Sequence, residues 1–227
     1  TEILVVRSRR VERAALEASS MLGLVIRAGA GVNTIDLPAA SALGIFVANC
    51  PGKNAVAVAE LAIGLLLALD RRIPENAAAL ARGEWNKTGF SKAAGLHGRT
   101  LGLLGFGTIG REVAARAIAL GMKVVAWSRS LTDEAAETAG VARAGSPLEV
   151  ARAADAVSVH LTLAPETKGL VGREFLAAMR PGALFVNTAR AEVVDEAALV
   201  DALRSGHLAA AGLDTMAEEP LPAGHAL

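Results

Sequence analysis

The sequence predicts an α/β protein with one complete, doubly wound parallel sheet, preceded by a smaller and partial α/β unit. From Thr100 onward, short apolar runs alternate with segments of helical spacing. This alternation is typical of a parallel sheet with helices on both faces. Residues 1–50 repeat the same order on a smaller scale, and a turn-rich stretch separates them from the rest of the chain.

Each element is expected from a local pattern. In residues 1–50, Asp36 and Pro38 are placed to start a short helix, and Gly44 is placed to end it. Later in the chain, Ser146 and Glu149 form a capping box at the start of another helix. The strands expected in order are 3–6, 24–27, 45–48, 101–104, 123–127, 141–143, 156–161, 183–187 and 209–213. Besides the short helix between Asp36 and Gly44, the main helices expected are 11–18, 54–69, 109–120, 133–139, 147–153, 173–179 and 196–204.

A domain boundary is expected at the turn Asn49-Cys-Pro-Gly52, which divides the chain into residues 1–50 and 51–227. The helix predicted after this turn, 54–69, carries one charged residue, Glu60. A helix that is apolar nearly all round is expected to be buried on most sides, so it is predicted to pack between domains or between subunits.

The composition excludes several classes of protein. The 23 basic and 23 acidic residues balance, so neither a nucleic acid nor a membrane surface is an expected partner. One cysteine excludes an internal disulfide framework and fits a cytoplasmic location. The most apolar run, 61–69, is far too short to cross a bilayer. The chain opens on Thr1 and reaches a strand at once, so we expect it to be trimmed at its start.

A glycine-rich turn lies at the centre of the second unit. The apolar run 101–104 meets Gly105-Phe-Gly107-Thr-Ile-Gly110, and a helical segment follows. This order suits a dinucleotide, because Gly105 permits a tight turn, Gly107 permits close approach of a pyrophosphate, and Gly110 permits close helix–sheet packing. The alternative is an ordinary tight turn between a strand and a helix.

The segment after the next strand, Ser128-Arg129-Ser130, stands where such folds read the adenosine ribose. An acidic side chain there would favour a 2′-hydroxyl. The segment after this strand, however, contains no acidic residue before Asp133. A cation flanked by hydroxyl groups suits a 2′-phosphate, so the sequence slightly favours NADP over NAD. The alternative is a solvated Arg129 lying over the adenine.

The carboxyl ends of the later strands carry further candidates. Ligands of open α/β sheets bind at this edge, so His160, Arg190 and Asp214 are expected to lie along one crevice. Arg190 is the strongest candidate, because an arginine can bind a carboxylate with two hydrogen bonds and polarise a neighbouring carbonyl. The alternative for Arg190 is a structural ion pair, and Glu218 and Glu219 could be solvated loop charges.

Taken together, these motifs resemble those of the D-isomer-specific 2-hydroxyacid dehydrogenases, and within that family most closely the phosphoglycerate dehydrogenases. The resemblance covers nearly the whole chain in the family's order. It rests on the stretches 27–36, 49–60, 105–110, 165–170, 187–190, 194–196 and 212–220. It implies a Rossmann-type nucleotide domain over 51–227 and a partial, flavodoxin-like substrate domain over 1–50.

The resemblance also implies a catalytic set of arginine, glutamate and histidine. Arg190 would bind the substrate carboxylate and carbonyl, and Glu219 would raise the pKa of the histidine that transfers the proton. That histidine is expected beyond Leu227, so His225 is not assigned to the role. His160 is expected to form a wall of the cofactor cleft, and two further histidines, His97 and His207, are expected at the surface.

The remaining site residues are carried over from the resemblance position by position. Arg7 and Arg27 would bind anionic groups of the substrate, the alternative being surface ion pairs. The substrate carboxylate would meet the backbone N–H groups of Ala30, Gly31 and Val32. No metal is expected. The residues implied for the cofactor are Gly105, Gly107, Thr108, Ile109, Gly110, Ser128, Arg129, Leu161, Thr188 and Asp214.

The implied activity is hydride transfer between NAD or NADP and C2 of a small 2-hydroxy or 2-oxo acid. Oxidation of 3-phosphoglycerate to 3-phosphohydroxypyruvate in serine biosynthesis is the first substrate hypothesis, and NADPH-dependent reduction of glyoxylate or hydroxypyruvate is the alternative. A remote alternative is a dinucleotide-sensing binding protein like the corepressors of this fold. A homodimer is implied, with helix 54–69 and the segment around Trp85 as its expected seam. Ala191-Glu192 replaces a frequent Gly-Gly, so a stiffer loop is expected there.

Overall fold

The computed structural model describes residues 1–227, which divide into two compact units, Thr1–Val56 and Ala57–Leu227. Each unit is built on its own parallel sheet. The α/β class and the doubly wound parallel sheet predicted from the sequence are confirmed. The division falls inside a helix, a few residues after the turn at which the sequence places the domain boundary.

The expected elements follow one another in the expected order, and two helices that were not expected lie within residues 73–90. The first unit contains β1 (Ile3–Val6), α1 (Arg13–Glu17), β2 (Leu24–Arg27), α2 (Leu37–Ala42) and β3 (Phe46–Ala48). Helix α3 (Ala55–Arg71) begins at the end of this unit and continues into the second. The second unit then contains α4 (Ile73–Ala81), α5 (Lys87–Phe90), β4 (Thr100–Leu104), α6 (Thr108–Ala119), β5 (Lys123–Trp127), α7 (Asp133–Thr138), β6 (Ala142–Arg143), α8 (Pro147–Ala153), β7 (Ala156–Val159), α9 (Arg173–Ala178), β8 (Ala183–Asn187), a 3₁₀ turn (Ala191–Val193), α10 (Glu196–Arg204) and β9 (Leu208–Leu213).

The sheet of the first unit has the order β1-β2-β3 and is covered on one face. Helices α1 and α2 contribute Leu16 and Ala39 to a small core with Val25 of β2. On the other face, Ile3 and Phe46 belong to one cross-strand row through Leu24, and both are exposed, Phe46 to 78%. The first unit therefore has two layers, one of helices and one of sheet.

The sheet of the second unit has the order β6-β5-β4-β7-β8-β9, with all strands parallel. Strands β7 and β8 are buried along their whole length, as expected of strands covered on both faces. One core packs α3, α6 and α7 against one face of the sheet, and a second core packs α8, α9 and α10 against the other. The strand order reverses at β4, which pairs with β5 on one side and β7 on the other.

Most helices of the second unit begin with a side-chain cap. Ser146 accepts a hydrogen bond from the Glu149 N–H at 3.2 Å, and the Glu149 carboxylate accepts one from the Gly145 N–H at 2.7 Å. This capping box was predicted. Thr132 and Asp195 cap α7 and α10 in the same way. Helix α6, like α4 and α9, has no side-chain cap, and its N-cap residue is Gly107.

A charged cluster closes the opposite, amino edge of this sheet. The carboxylate of Asp155 accepts hydrogen bonds from the Thr100 N–H and from Arg180, each at 2.8 Å. Burial alone would raise the pKa of Asp155, but these hydrogen bonds and the charges of Arg180 and Arg99 outweigh it, so the pKa is lowered. The cluster joins the starts of β4 and β7 to the segment before β8.

Within the single chain, helix α3 is buried on one side only, and its predicted packing between domains or between subunits stays a prediction. Ala59, Ala62 and Leu66 face the core of the second unit, but Leu61 and Glu60 lie on an exposed face. The exposed side of α3 is apolar because almost every residue of the helix is apolar. An apolar sequence therefore does not by itself show that all sides of a helix are buried. No helix of the protein, α3 included, combines the length and apolarity that a bilayer span needs.

Candidate functional site

The glycine turn after β4 has the geometry that a dinucleotide motif requires. Gly105 has a φ of 98°, and a Cβ there would lie 2.5 Å from the carbonyl oxygen of His160, so only glycine fits. A Cβ on Gly110 would overlap the carbonyl oxygen of Gly105, so the absence of a side chain lets α6 pack directly against the turn. Two of the three glycines are thus needed for the fold itself.

Gly107 differs from its neighbours, because a Cβ there would meet no atom within 4 Å. It is exposed, its φ is −80°, and it starts the uncapped helix α6. The first N–H groups of α6, on Thr108, Ile109 and Gly110, have no intrahelical partners, as at every helix start. An open cradle beside free N–H groups at the positive end of a helix dipole fits a pyrophosphate. The dinucleotide that the motif implies is therefore compatible with the residues present.

The expected ribose reader lies on the loop after β5. The Ser128 carbonyl accepts a hydrogen bond from the Leu131 N–H at 3.2 Å, and Arg129 extends from this turn with its side chain 70% exposed. An acidic side chain lies nearby in space, although the sequence segment itself holds none before Asp133. The Glu166 carboxylate is 3.9 Å from the Arg129 guanidinium and comes from the loop after β7.

The loop that carries Glu166 is fixed by a buried threonine to which the sequence assigned no role. The Thr167 hydroxyl accepts a hydrogen bond from the Ala164 N–H at 2.8 Å and donates one to the Thr162 carbonyl at 2.7 Å. These contacts form a compact side-chain-closed turn, the kind that Ser and Thr favour. The hydrogen bonds of Thr167 therefore fix the backbone of the loop that carries Glu166.

His160 lies at the end of β7, as expected. Its Nε2 is hydrogen-bonded to the Ser158 hydroxyl at 2.9 Å, and its buried Nδ1 has no partner within the chain. Burial lowers the pKa of His160 from 6.5 to about 4, although the residue as a whole keeps some contact with solvent. The imidazole is therefore neutral at neutral pH and is poorly suited to carry a proton.

Arg190 is presented by a turn that Asn187 builds at the end of β8. The buried Asn187 side chain donates to the Arg190 carbonyl at 2.9 Å and accepts from the Ala189 N–H at 3.0 Å. The half-buried Arg190 guanidinium donates to the Ala189 carbonyl at 2.6 Å and forms no ion pair, so the structural ion-pair alternative is not what the structure shows. The following residues form the 3₁₀ turn, and the Glu192 carbonyl accepts from the Gly169 N–H at 2.9 Å.

The second implied catalytic residue is not joined to Arg190. Glu219 is exposed, and its carboxylate accepts a hydrogen bond from the Met216 N–H at 3.2 Å within its own loop. No hydrogen bond or ion pair connects Glu219 with Arg190. His225 lies 3.1 Å from the Glu196 carboxylate at the start of α10, so this histidine is engaged elsewhere.

The remaining implied cofactor residues lie at strand ends along the same edge of the sheet. Thr188, which follows β8, is buried, and its hydroxyl has no partner within the chain. The Asp214 N–H donates to the Asn187 carbonyl at 3.0 Å, and the Asp214 side chain is exposed. Leu161 is half-buried against the core on the α8–α10 face. Because neighbouring parallel strands end together, these positions line the edge that also carries the glycine turn.

The first unit contains a candidate site for an anion at the turn after β2. The Arg27 side chain lies over Gly29, where any Cβ would overlap the guanidinium, and its Nε is buried without a partner. The N–H groups of Ala30, Gly31 and Val32 donate no hydrogen bond within the chain. Free N–H groups beside a guanidinium form an anion-binding concavity.

The other basic candidate of the first unit, Arg7, is exposed and forms no ion pair, so it does not show the surface-pair alternative.

The outcome for the two remaining histidines is mixed. His97 is exposed as predicted, but His207 is half-buried, and its Nε2 lies 3.1 Å from the Leu176 carbonyl. The surface prediction for His207 is therefore wrong, because its ring ties β9 to the end of α9. No three His, Cys, Asp or Glu side chains gather where they could hold a metal ion.

Comparison with known proteins gives consistent matches. Residues 63–227 match the family model described as D-isomer specific 2-hydroxyacid dehydrogenase, NAD binding domain. D-3-phosphoglycerate dehydrogenase of Methanocaldococcus jannaschii is 42% identical over 220 residues, which are 96% of this chain and 42% of that protein. Hydroxypyruvate reductase of Thermotoga maritima is 41% identical over 222 residues, which are 96% of this chain and 70% of that protein.

The similarity extends to solved structures. The TT0316 protein from Thermus thermophilus matches with a TM-score of 0.90 and 40% identity, over 98% of this chain and 70% of that one. This chain spans about two fifths of the length of the phosphoglycerate dehydrogenases that it matches. The family model covers well over half of the chain, and the motifs stand in the matching order. The chain therefore belongs to the D-isomer specific 2-hydroxyacid dehydrogenases, and residues 63–227 match their NAD-binding domain.

Proposed function

We propose that the protein is an NAD(P)-dependent dehydrogenase that moves a hydride between nicotinamide C4 and C2 of a small 2-hydroxy or 2-oxo acid. The observation that carries this proposal is the placement of Arg190. Its turn, built by Asn187, follows β8 on the same sheet edge as the open cradle at Gly107. We assign the NAD(P)-binding role to residues 51–227 and a partial substrate-binding role to residues 1–50.

The proposed cofactor residues each have a physical task. Gly107 and the N–H groups of α6 would hold the pyrophosphate, and Ser128 and Arg129 would face the adenosine ribose. Leu161, Thr188 and Asp214 would line the nicotinamide half of the crevice. When bound, the dinucleotide supplies the hydride acceptor or donor at nicotinamide C4.

Arg190 is proposed to bind the substrate carboxylate and to polarise the carbonyl at C2. A guanidinium suits both tasks, because it stays charged and can donate two parallel hydrogen bonds. Glu219 is proposed to hold a histidine and raise its pKa, so that the histidine gives or takes the proton at the C2 oxygen. We do not assign this role to His160, because burial lowers its pKa and its Nε2 contacts the Ser158 hydroxyl.

For the substrate we propose 3-phosphoglycerate first. The support is Arg27, whose buried, unpartnered Nε lies beside the free N–H groups of the turn at Gly31. That site suits an anionic substrate, and Arg7 adds a second cation in the same unit. Relatives named D-3-phosphoglycerate dehydrogenase are 42% and 43% identical to this chain, which supports the same choice.

A second candidate is NADPH-dependent reduction of glyoxylate or hydroxypyruvate. Arg129 supports it, because a guanidinium at the ribose end favours a 2′-phosphate. The hydroxypyruvate reductase relative also supports it, since the chain covers 70% of that protein. A cytoplasmic location is proposed with either substrate, on the ground of a single, unpaired cysteine.

Initial rates of the full-length protein with 3-phosphoglycerate and NAD, and with glyoxylate and NADPH, test the proposal. We expect turnover of the phosphorylated acid, and we expect Arg27→Gln to raise its KM at least about tenfold while the KM for NAD changes little. Faster turnover with glyoxylate and NADPH would favour the second candidate. Turnover of neither acid would overturn both substrate assignments, and absence of turnover across a panel of small 2-hydroxy and 2-oxo acids would overturn the proposed activity.

A homodimer is also proposed, with the second unit as its seam. Trp85 is 80% exposed and lies beside a hollow of about 480 Å³ lined by Leu80 and Phe90. The exposed apolar stripe of α3, which includes Leu61, belongs to the same unit. Such exposed aromatic and aliphatic groups are typical of protein–protein contact surfaces.

A further inference from the structure

Two oppositely charged side chains meet where the adenosine ribose would lie. The Arg129 guanidinium and the Glu166 carboxylate are 3.9 Å apart, and both side chains are largely exposed. At this separation the two groups attract each other without forming a direct hydrogen bond. Arg129 therefore keeps its donors free for a ligand, while a carboxylate stands beside them.

No other contact in the chain holds Arg129. The nearby Arg143 is already occupied, because its Nε donates to the Leu131 carbonyl at 2.8 Å and its guanidinium pairs with Asp133 at 3.4 Å. Arg129 is therefore the free cation of this loop. Glu166 in turn forms no other ion pair, and the turn closed by Thr167 fixes the backbone on either side of it.

We propose that Glu166 is a specificity-determining residue that limits the preference of this site for a 2′-phosphate. The inference rests on the proposed dinucleotide site. An acid at the end of β5 would normally repel a 2′-phosphate, and this chain has none there. Glu166 supplies the missing negative charge from the neighbouring loop, so it offsets the attraction of Arg129 for NADP and leaves binding of NAD nearly unchanged.

The size of the effect follows from the exposure of the pair. Interactions between exposed charges are screened by water and salt, so each is weak. We expect Glu166→Gln to lower the Kd for NADP about two- to fivefold and to change the Kd for NAD by less than about twofold. We expect Arg129→Gln to raise the Kd for NADP about tenfold, because a charged donor to the phosphate is lost.

Calorimetric titration of the full-length protein with NAD and with NADP measures these constants without any need for turnover. Asp201→Asn is the matched control, because it removes a carboxylate from an exposed pair with Arg173 at 2.9 Å, outside both loops. The control should leave the ratio of the two Kd values unchanged. The gain of Glu166→Gln should shrink as ionic strength rises, which a purely structural effect of residue 166 would not do.

The outcomes separate this inference from the function on which it rests. An unchanged NADP-to-NAD ratio in Glu166→Gln, with both dinucleotides still bound, would overturn the role of Glu166 alone. A loss of NAD and NADP binding together in that variant would also overturn it, since the residue would then support the whole site. Failure of the unaltered protein to bind either dinucleotide would overturn the proposed function and this inference together.

Discussion

The carbonyl oxygen of Gly105 occupies the space that a Cβ on Gly110 would need. Helix α6 can approach the sheet only because residue 110 has no Cβ. We expect Gly110→Ala to lower the free energy of unfolding of the second unit by about 1–3 kcal/mol, the usual cost of forcing a methyl group into packed structure. Urea titration followed by fluorescence measures this, since Trp85 and Trp127 both lie in that unit.

Gly107→Ala is the complementary change, because a Cβ at residue 107 meets no protein atom within 4 Å and the φ of −80° suits alanine. The variant should keep its stability to within about 0.5 kcal/mol. It should weaken NAD binding at least about tenfold, because the methyl group would occupy the cradle assigned to the pyrophosphate. Titration with NAD measures this, and unaltered affinity would place the phosphates elsewhere.

His160 should make stability depend on pH below neutrality. Its folded pKa, about 4, lies below the ordinary value of 6.5, so the unfolded chain binds a proton that the folded protein does not. Stability should therefore be complete above pH 6.5 and fall as the pH drops towards 4, by up to about 2 kcal/mol at pH 5. Urea titrations at pH 7 and pH 5 should show this loss in the natural protein and in His97→Asn, but much less of it in His160→Asn. Equal losses in all three would contradict the assignment.

Asp155 should be important for stability, because it satisfies the Thr100 N–H and pairs with Arg180. Asp155→Asn should cost about 1–3 kcal/mol at pH 7, since the charged partners remain without their carboxylate. Because the pKa of Asp155 is lowered on folding, this contribution should be present above the unfolded pKa and be lost as the pH falls through the folded one. Asp133→Asn, which breaks a more exposed pair with Arg143, should change stability by less than about 0.5 kcal/mol.

The proposed dimer seam predicts a change in association. Trp85→Glu together with Leu80→Glu should raise the dimer dissociation constant at least about tenfold, because charges would enter an apolar contact. Leu120→Glu, at another exposed apolar position of the second unit, is the control and should not alter association. Sedimentation velocity over a range of protein concentrations measures both. A double variant that remains a dimer would move the seam away from α4 and α5.

Much of the fold could be predicted because its signals are local. The capping box at Ser146 and the positive φ of Gly105 depend on residues that are close together in the sequence. Alternation of apolar strands and helices then fixes the fold class, since parallel strands need such crossovers. The site residues at strand ends follow from the same alternation, because each strand end is brought to one edge.

What could not be predicted depends on contacts between distant segments. Glu166 lies 37 residues after Arg129 in the sequence, and no local pattern indicates that the two side chains meet. The contact of His207 with the Leu176 carbonyl is of the same kind. Asn187 could have been found, because an amide at a strand end often closes the following turn through its side chain. The pattern of exposed and buried residues along α3 could not be predicted, because nearly all of its residues are apolar.

The one-sided sheet of the first unit has a consequence for synthesis. This unit leaves the ribosome before the second, with the row from Ile3 to Phe46 uncovered. At roughly 5–20 residues per second, the second unit follows over about 10–30 s. During that interval the apolar row from Ile3 to Phe46 is open to contact with other nascent chains. The first unit is therefore the part of the molecule for which a chaperone should matter most.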